Sequence, residues 1–414
     1  MIKKPFSVIA MVMSFLIVNS AFAEKENVKV SGFGTVATAT SDSDRYQFRS
    51  DRSQAESAKK GGLAFKPLSL VGVQLDYSVS DNLDFVGQFV YREQDEQNLD
   101  SITQMAFLRY DITPSWQVRA GRLAADIFHF SDTRDVSIAY PWVKVPTEVY
   151  GIVPARSFDG GDISYTKPYD NFNLLIKGFW GSGESDFSSD DYNPIRFNNL
   201  RSIGVEFVSF DWSLALKHTQ TEADNDDEDL AVVAASVAQL QPFWSGAIDF
   251  AKEVSLKDTT IHYTSVYFNR YFDAWELSGE LSYIDSNSIA LRPSFNGFLN
   301  LSYLYGAHTF YGLYSFAKTD TYFLSQEQPG FPINESTAQL AVFVEEVASS
   351  LAHHQQTLSL GWRWDLQENL AFKVQLERTD VEARGTGLRA RDGLVVEDED
   401  GVVHTLFVAL SFSF

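Results

Sequence analysis

The chain closes on Val402 to Phe414, VVHTLFVALSFSF. Within it Leu406, Val408, Leu410, Phe412 and Phe414 fall on one side, and Thr405, Phe407, Ala409, Ser411 and Ser413 on the other. Alternation with a period of two marks a β-strand whose faces meet different surroundings. The chain stops on its last aromatic residue, so its end is itself strand. A buried sandwich strand would alternate in the same way, and the rest of the sequence decides between them.

Working back from this stretch, similar segments of about nine to twelve residues recur, the length a tilted strand needs to cross a bilayer. They cover residues 28–39, 68–79, 83–94, 102–112, 116–123, 158–167, 172–181, 200–210, 212–220, 260–269, 275–284, 296–304, 309–318, 357–366, 370–380 and 402–414. That is about sixteen strands, an even number, as bacterial single-chain barrels have. Tiny turns at 80–82, 113–115, 168–171, 210–211, 272–273, 306–307 and 367–369 use ordinary turn residues. Every other connection is longer: 40–66, 95–101, 124–157, 182–198, 221–258, 285–295, 319–355 and 381–401. An antiparallel up-and-down barrel then carries all its short turns at one end and all its long loops at the other, the transmembrane arrangement. A soluble sandwich has no reason to keep that parity.

The faces agree. Outward candidates are Leu83/Phe85/Gly87/Phe89/Tyr91, Leu277/Gly279/Leu281/Tyr283 and Leu358/Leu360/Trp362/Trp364, set against Asp84/Gln88/Arg92, Ser278/Glu280/Ser282 and Thr357/Ser359/Arg363. Trp116, Trp212, Trp275 and Phe172 follow short turns, while Tyr91, Trp180 and Tyr283 stand near the far strand ends. Rings sorted to both ends of an apolar band form interfacial girdles, which core aromatics have no cause to do. Two long loops also read as carrying short helices. Ser336-Thr337-Ala338-Gln339 is a capping-box pattern ahead of Leu340, Phe343, Val344, Val347 and Leu351. Leu230, Val233, Val237 and Leu240 suggest another, ended near Pro242, and both are expected to pack on the rim.

Composition narrows the setting. Lys3 and Lys4, an apolar run to Val18 and Ala21-Phe22-Ala23 form a bacterial signal peptide expected to be removed, leaving residues 24–414 as the barrel domain. The chain has no cysteine, which excludes disulfide scaffolds and thiol chemistry. The formal charge is -22, and the leader carries two lysines and no acid, so the mature value is -24. Nucleic acid is therefore not an expected partner. The acidic runs 224–229 and 397–400 read as solvated loops.

These features together resemble Gram-negative outer-membrane porins of the sixteen-strand type, within them the phosphate- and dicarboxylate-type branch; a terminal strand ending on Phe is also similar to theirs. The local piece that carries the resemblance is Ala120-Gly121-Arg122-Leu123 before the long segment 124–157. The resemblance implies that this third long loop folds inward and narrows the barrel, and that the chain forms a homotrimer among outer-membrane lipid and lipopolysaccharide.

The loop carries Asp126, His129, Asp132, Arg134, Asp135, Lys144, Glu148 and Arg156, and the wall beside it Arg92, Arg109 and Arg119 on the expected lumen face. With Arg122 these residues are the expected pore constriction. Facing rows of opposite charge would set a transverse field that filters small polar or charged solutes without chemistry. The plainer alternative is that they pair as wall salt bridges. Lys177, Lys217, Arg270, Arg363 and Lys373 are further lumen candidates, against Asp162, Glu206, Glu276, Glu280 and Glu377. An enzyme reading, phospholipase- or protease-like, finds little footing. The seven histidines are scattered apart from His353-His354, placed in a loop helix, and GxSxG is absent. Neither a metal nor a cofactor is expected. A barrel closed by its loops as a surface receptor is the remaining alternative.

Overall fold

The computed structural model describes residues 27–414 apart from 55–56, 95–96, 154, 186–193, 226–227, 290, 321–323, 325–327, 329, 351, 387 and 390–398. The expected leader, 1–23, lies outside these. Sixteen antiparallel strands follow one another round a closed wall, and β1 pairs with β16 to shut it. They are β1 (Val28–Ser41), β2 (Leu70–Ser80), β3 (Leu83–Arg92), β4 (Thr103–Thr113), β5 (Trp116–Ala124), β6 (Ser157–Pro168), β7 (Asn173–Ser185) and β8 (Ile195–Val208). The second half is β9 (Trp212–Asn225), β10 (Thr259–Phe272), β11 (Trp275–Ser286), β12 (Ser294–Tyr305), β13 (His308–Thr319), β14 (His353–Gln367), β15 (Leu370–Thr386) and β16 (Gly401–Ser413). Every short turn joins an even-numbered strand to the next, so the turns gather at one end and the loops at the other. Closure leaves no unpaired sheet edge, which is what lets strands cross a bilayer.

Side-chain parity follows the alternation. On β16, Thr405, Phe407, Ala409 and Ser411 are fully buried toward the inside, whereas Leu406 is 41% exposed. Leu108, Ile163, Ile203, Leu216, Val266, Leu281 and Leu299 stand exposed in an outward apolar belt. At its turn-side border Trp116 packs on Tyr165 and Trp275 on Tyr303, both at 4.7 Å between ring centroids. The closing seam depends on missing side chains. Phe412 lies over Gly34, where a Cβ would come within 2.6 Å of the ring, and Phe414 covers Gly32 in the same way. Aromatic cover of strand glycines is a known device for fixing register.

The inner wall departs from expectation on one side. Tyr263, Tyr267, Phe298, Tyr311 and Leu313 point inward and are buried, where polar lumen residues were anticipated. Their partners are Phe128, Tyr140, Trp142, Val149 and Tyr150 of the third loop, which crosses the interior and forms one apolar cluster with β10–β13. Strand periodicity cannot show this, because the covering surface belongs to a loop.

The loops contain α1 (Leu99–Ile102), α2 (Thr147–Tyr150), α3 (Glu228–Ala238), α4 (Ala247–Val254) and α5 (Ala338–Ser350). Val237, Phe250, Val254, Ile289, Phe331 and Val344 bring the loops after β9, β11 and β13 together round a small core of their own. Ahead of α5, in the 3-10 turn Glu335–Thr337, the Thr337 hydroxyl accepts from the preceding Ile333 and Asn334 backbone amides at 3.0 and 3.2 Å and holds the turn that leads into the helix. His353 and His354 are not helical but open β14, facing opposite sides.

Candidate pore constriction

The inward turn of the third loop starts in β5. Gly121 has φ 134°, and a Cβ there would collide with the Ala106 carbonyl and Phe107. Only glycine suits that backbone and that closeness. Leu123, Ala125, Ile127 and Phe128 then carry the chain inside.

The loop is tied across the lumen by polar contacts to strand after strand. The His129 backbone amide donates to Glu280 of β11 at 2.9 Å, and the Tyr150 hydroxyl donates to the same carboxylate. Trp142 Nε1 donates to Asn300 of β12 at 2.9 Å, and the Val143 amide to Gln375 of β15 at 3.0 Å. Glu148 accepts from Ser315 of β13 and from Gln355 and Thr357 of β14 at 2.8, 2.6 and 2.5 Å. Lys144 pairs with Glu377 at 2.9 Å. Lys373 donates to the carbonyls of Tyr140 and Trp142 at 2.7 and 2.8 Å. The third loop therefore occupies the β10–β16 side of the interior.

On the opposite side a cavity of about 840 Å³ opens at the turn end, lined among others by Asp111, Gln117, Arg119, Ser164 and Lys177. Lys177 also lines a cavity of about 20 Å³ with Asp126, Glu206 and Lys217. Asp126 pairs with Lys177 at 2.9 Å and with Lys217, so one loop carboxylate is held between two wall lysines.

The expected constriction residues divide into groups. Arg109 and Arg119 are register partners, but each is neutralised by a carboxylate on the next strand, Arg109 by Asp84 at 2.8 Å and Arg119 by Asp162. Arg92 lies eight residues beyond Asp84 on β3, about 27 Å of strand, and meets Asp135 of the third loop at 3.3 Å. The three arginines thus stand at two levels, Arg109 and Arg119 together and Arg92 apart. Arg156 joins Asp135 to Asp51 of the first loop. Arg134 donates to the carbonyls of Tyr150 and Val153, both at 3.2 Å, and staples the loop to itself.

Two of the charged residues face away from the lumen. Arg122, three positions after inward Arg119, points outward to Asp159 at 3.0 Å and Asp100 at 2.8 Å. Arg270 is likewise outside, at the turn end beside Asp211 at 3.0 Å. A step of one residue reverses a strand's face, and both were placed on the wrong one.

Electrostatics in the loops follows burial and pairing. Burial opposes the charges of Asp51, Asp126, Asp135 and Glu148, but lysine and arginine neighbours outweigh it and hold all four below their ordinary pKa. Asp132 is raised by burial and by Asp126 nearby. Burial and Lys217 push His129 down to about 3, so the ring stacked 3.5 Å from Tyr267 is neutral.

The first loop was not anticipated. It enters the barrel as well, with Phe48 edge-on to Phe407 at 4.8 Å and Arg52 donating to His353 at 3.1 Å. The charges clustered at Arg45, Arg49, Asp51 and Arg52 were the available signal.

A closed sixteen-strand wall with an outward apolar belt, short turns at one end and a third loop folded inside settles the architecture. The fold is that of the sixteen-strand outer-membrane porins. Solved porin-fold structures match along nearly the whole chain at low identity. The outer membrane channel DcaP of Acinetobacter baumannii has a TM-score of 0.55 at 12% identity, covering 94% of this chain and 99% of that one. An anion-selective porin from Comamonas acidovorans gives 0.53 at 12%, with 94% and 99% covered. OmpF of Salmonella typhi, solved with daunomycin, gives 0.52 at 9%, with 94% and 98% covered. No protein-family model matches the chain, and no curated protein sequence matches it.

Proposed function

We propose that the barrel is an outer-membrane channel through which small hydrophilic solutes or ions diffuse. The observation that carries this reading is the 840 Å³ turn-side cavity with its polar lining, leading to the Asp126 narrowing. Water and charged side chains inside a wall greasy outside are what passive selectivity requires. In this reading Asp126, Lys177 and Lys217 form the narrowest part, with Asp132 and Glu206 beside them. Arg109 and Arg119 line the approach, while Arg92, Arg134, Asp135, Lys144, Glu148 and Arg156 fix the third loop.

The chain reaches the outer membrane after loss of residues 1–23, assembles there as a homotrimer and contacts lipid and lipopolysaccharide through its outward belt. Mass spectrometry of the exported protein should give a mature start at Glu24, and cross-linking in detergent should give a three-chain species.

A second reading, a barrel shut by its loops, draws on the apolar filling of the β10–β16 side. Conductance in a planar bilayer separates the two: discrete current steps support the channel, and their absence from folded protein supports the shut barrel.

A further inference from the structure

We propose that His218 of β9 and His262 of β10 form a binding site for one divalent transition-metal ion on the outer wall, toward the loop end of the barrel. Both side chains point away from the interior. His218 alternates with buried Lys217 and Thr219, and His262 with buried Ile261 and Tyr263. The inference uses sheet register and outward side chains alone, so it goes beyond the channel reading and does not depend on it.

Register brings the two rings together. His218 is paired with Thr264 and Gln220 with His262, which makes the histidines diagonal neighbours on one face of adjacent strands. Their ring centroids lie 5.7 Å apart, with 23° between the planes. Two imidazoles bound to one ion through nitrogens at about 2.0 Å stand with their centres roughly 5 to 6 Å apart. The observed separation is therefore that of two rings able to share an ion. One of them is already oriented. The Thr264 hydroxyl is hydrogen-bonded to Nδ1 of His218 at 2.9 Å, which leaves Nε2 as the nitrogen that meets a metal. A partner on the other ring nitrogen is how proteins commonly set a ligating histidine.

Charge around the pair favours a cation. Asp285 of β11 is the register partner of His262 on the same outward face. Glu222 stands two positions beyond Gln220 on β9 and accepts from Asn199 at 2.6 Å. Arg201 of β8, in the same row, is turned to Gln220 at 3.0 Å. Among the described residues no three acidic or histidine side chains converge on one point, so the protein supplies two imidazoles and water completes the shell. Imidazole nitrogens with water select Cu²⁺ ahead of Zn²⁺, and both ahead of Ca²⁺ or Mg²⁺. The loop that carries α3 and α4 runs from β9 to β10, so an ion held by both histidines clamps its base.

The test is calorimetric titration of CuCl₂ into the full folded chain in detergent, in a buffer that does not coordinate copper. One ion per chain is expected, with a dissociation constant on the order of 10 μM, and weaker binding of Zn²⁺. His218→Ala and His262→Ala should each weaken binding at least about tenfold, as for losing one of two ligands. His404→Ala, whose ring is held by Asp42 at 2.7 Å, should bind as the wild type does. Saturating Cu²⁺ should raise the Tm of the wild type and leave that of His262→Ala where it was. Both rings lie outside the packed interior, and each alanine variant reads the site by itself should the other not fold. No saturable heat with Cu²⁺, or wild-type affinity in either alanine variant, overturns the site. Binding is read on the folded barrel whether or not it conducts, so the failure of one proposal leaves the other standing.

Discussion

Asp126 on the third loop and Lys177 on β7 form an ion pair at 2.9 Å, and Lys177 lines the wide cavity below as well as the small one above. In the proposed channel the charge at this point is the balance of the Asp126 carboxylate against Lys177 and Lys217. Asp126→Asn removes that carboxylate, leaving Lys217 without this partner and Lys177 with only Asp162, 3.7 Å away. The reversal potential under a salt gradient should move toward anion preference by at least several millivolts, following the sign of the exposed wall charge. An unmoved potential would place the filter elsewhere.

Glu148 is 1% exposed and serves three donors on β13 and β14. Glu148→Ala leaves Ser315, Gln355 and Thr357 buried without that acceptor, at a cost of about 3 kcal/mol or more. Glu148→Gln keeps an acceptor oxygen and should cost less. Thermal unfolding should rank the three proteins in that order, with noisier single-channel current for the alanine variant as its loop loosens.

Gly121 combines φ 134° with contact to Ala106 and Phe107 on β4. Gly121→Ala should cost at least about 2 kcal/mol in backbone strain alone, with the collision added. Refolding yield, read as the heat-modifiable band on electrophoresis, should fall sharply. Gly306 also has positive φ, but its Cβ would meet nothing, so Gly306→Ala is the milder control.

Acid should act on the loop late. Asp51, Asp126, Asp135 and Glu148 all have folded pKa values below the ordinary carboxylate range. Groups depressed in this way give stability that is complete above the unfolded pKa, about 4, and lost as pH falls through the folded one. His129, held near 3 by burial and Lys217, stays neutral over the same span. The contribution of these four should therefore be flat from pH 7.5 to about 5 and decline below about 4, while the raised Asp132 acts in the opposite sense. A midpoint near pH 6.5 would mean that a histidine controls the loop.

The barrel was legible because lipid and water impose a period of two on every strand, and because turn and loop lengths alternate with chain direction. Leu406 and Thr405 announce their faces from neighbouring positions alone. The interior was less so. Tyr263 and Phe298 face inward because Trp142 and Phe128 arrive from a distant loop, and no local pattern carries that. Arg122 and Arg270 show the other failure: Arg122 lies an odd three positions from inward Arg119 on one strand, and Arg270 shares the parity of exposed Val266 and Phe268, so neither can face the lumen. The arginines Arg92, Arg109 and Arg119 share a face, yet the tens of ångströms along β3 that separate Arg92 from the other two follow only from the register.

Single-channel recording from the folded chain in a planar bilayer bears most directly on the proposed passage beside β3–β9. Discrete, salt-dependent current steps, with a reversal potential that shifts in Asp126→Asn, are the expected result. Folded, heat-modifiable protein that passes no current at any voltage would contradict it, and the third and first loops would then be a plug.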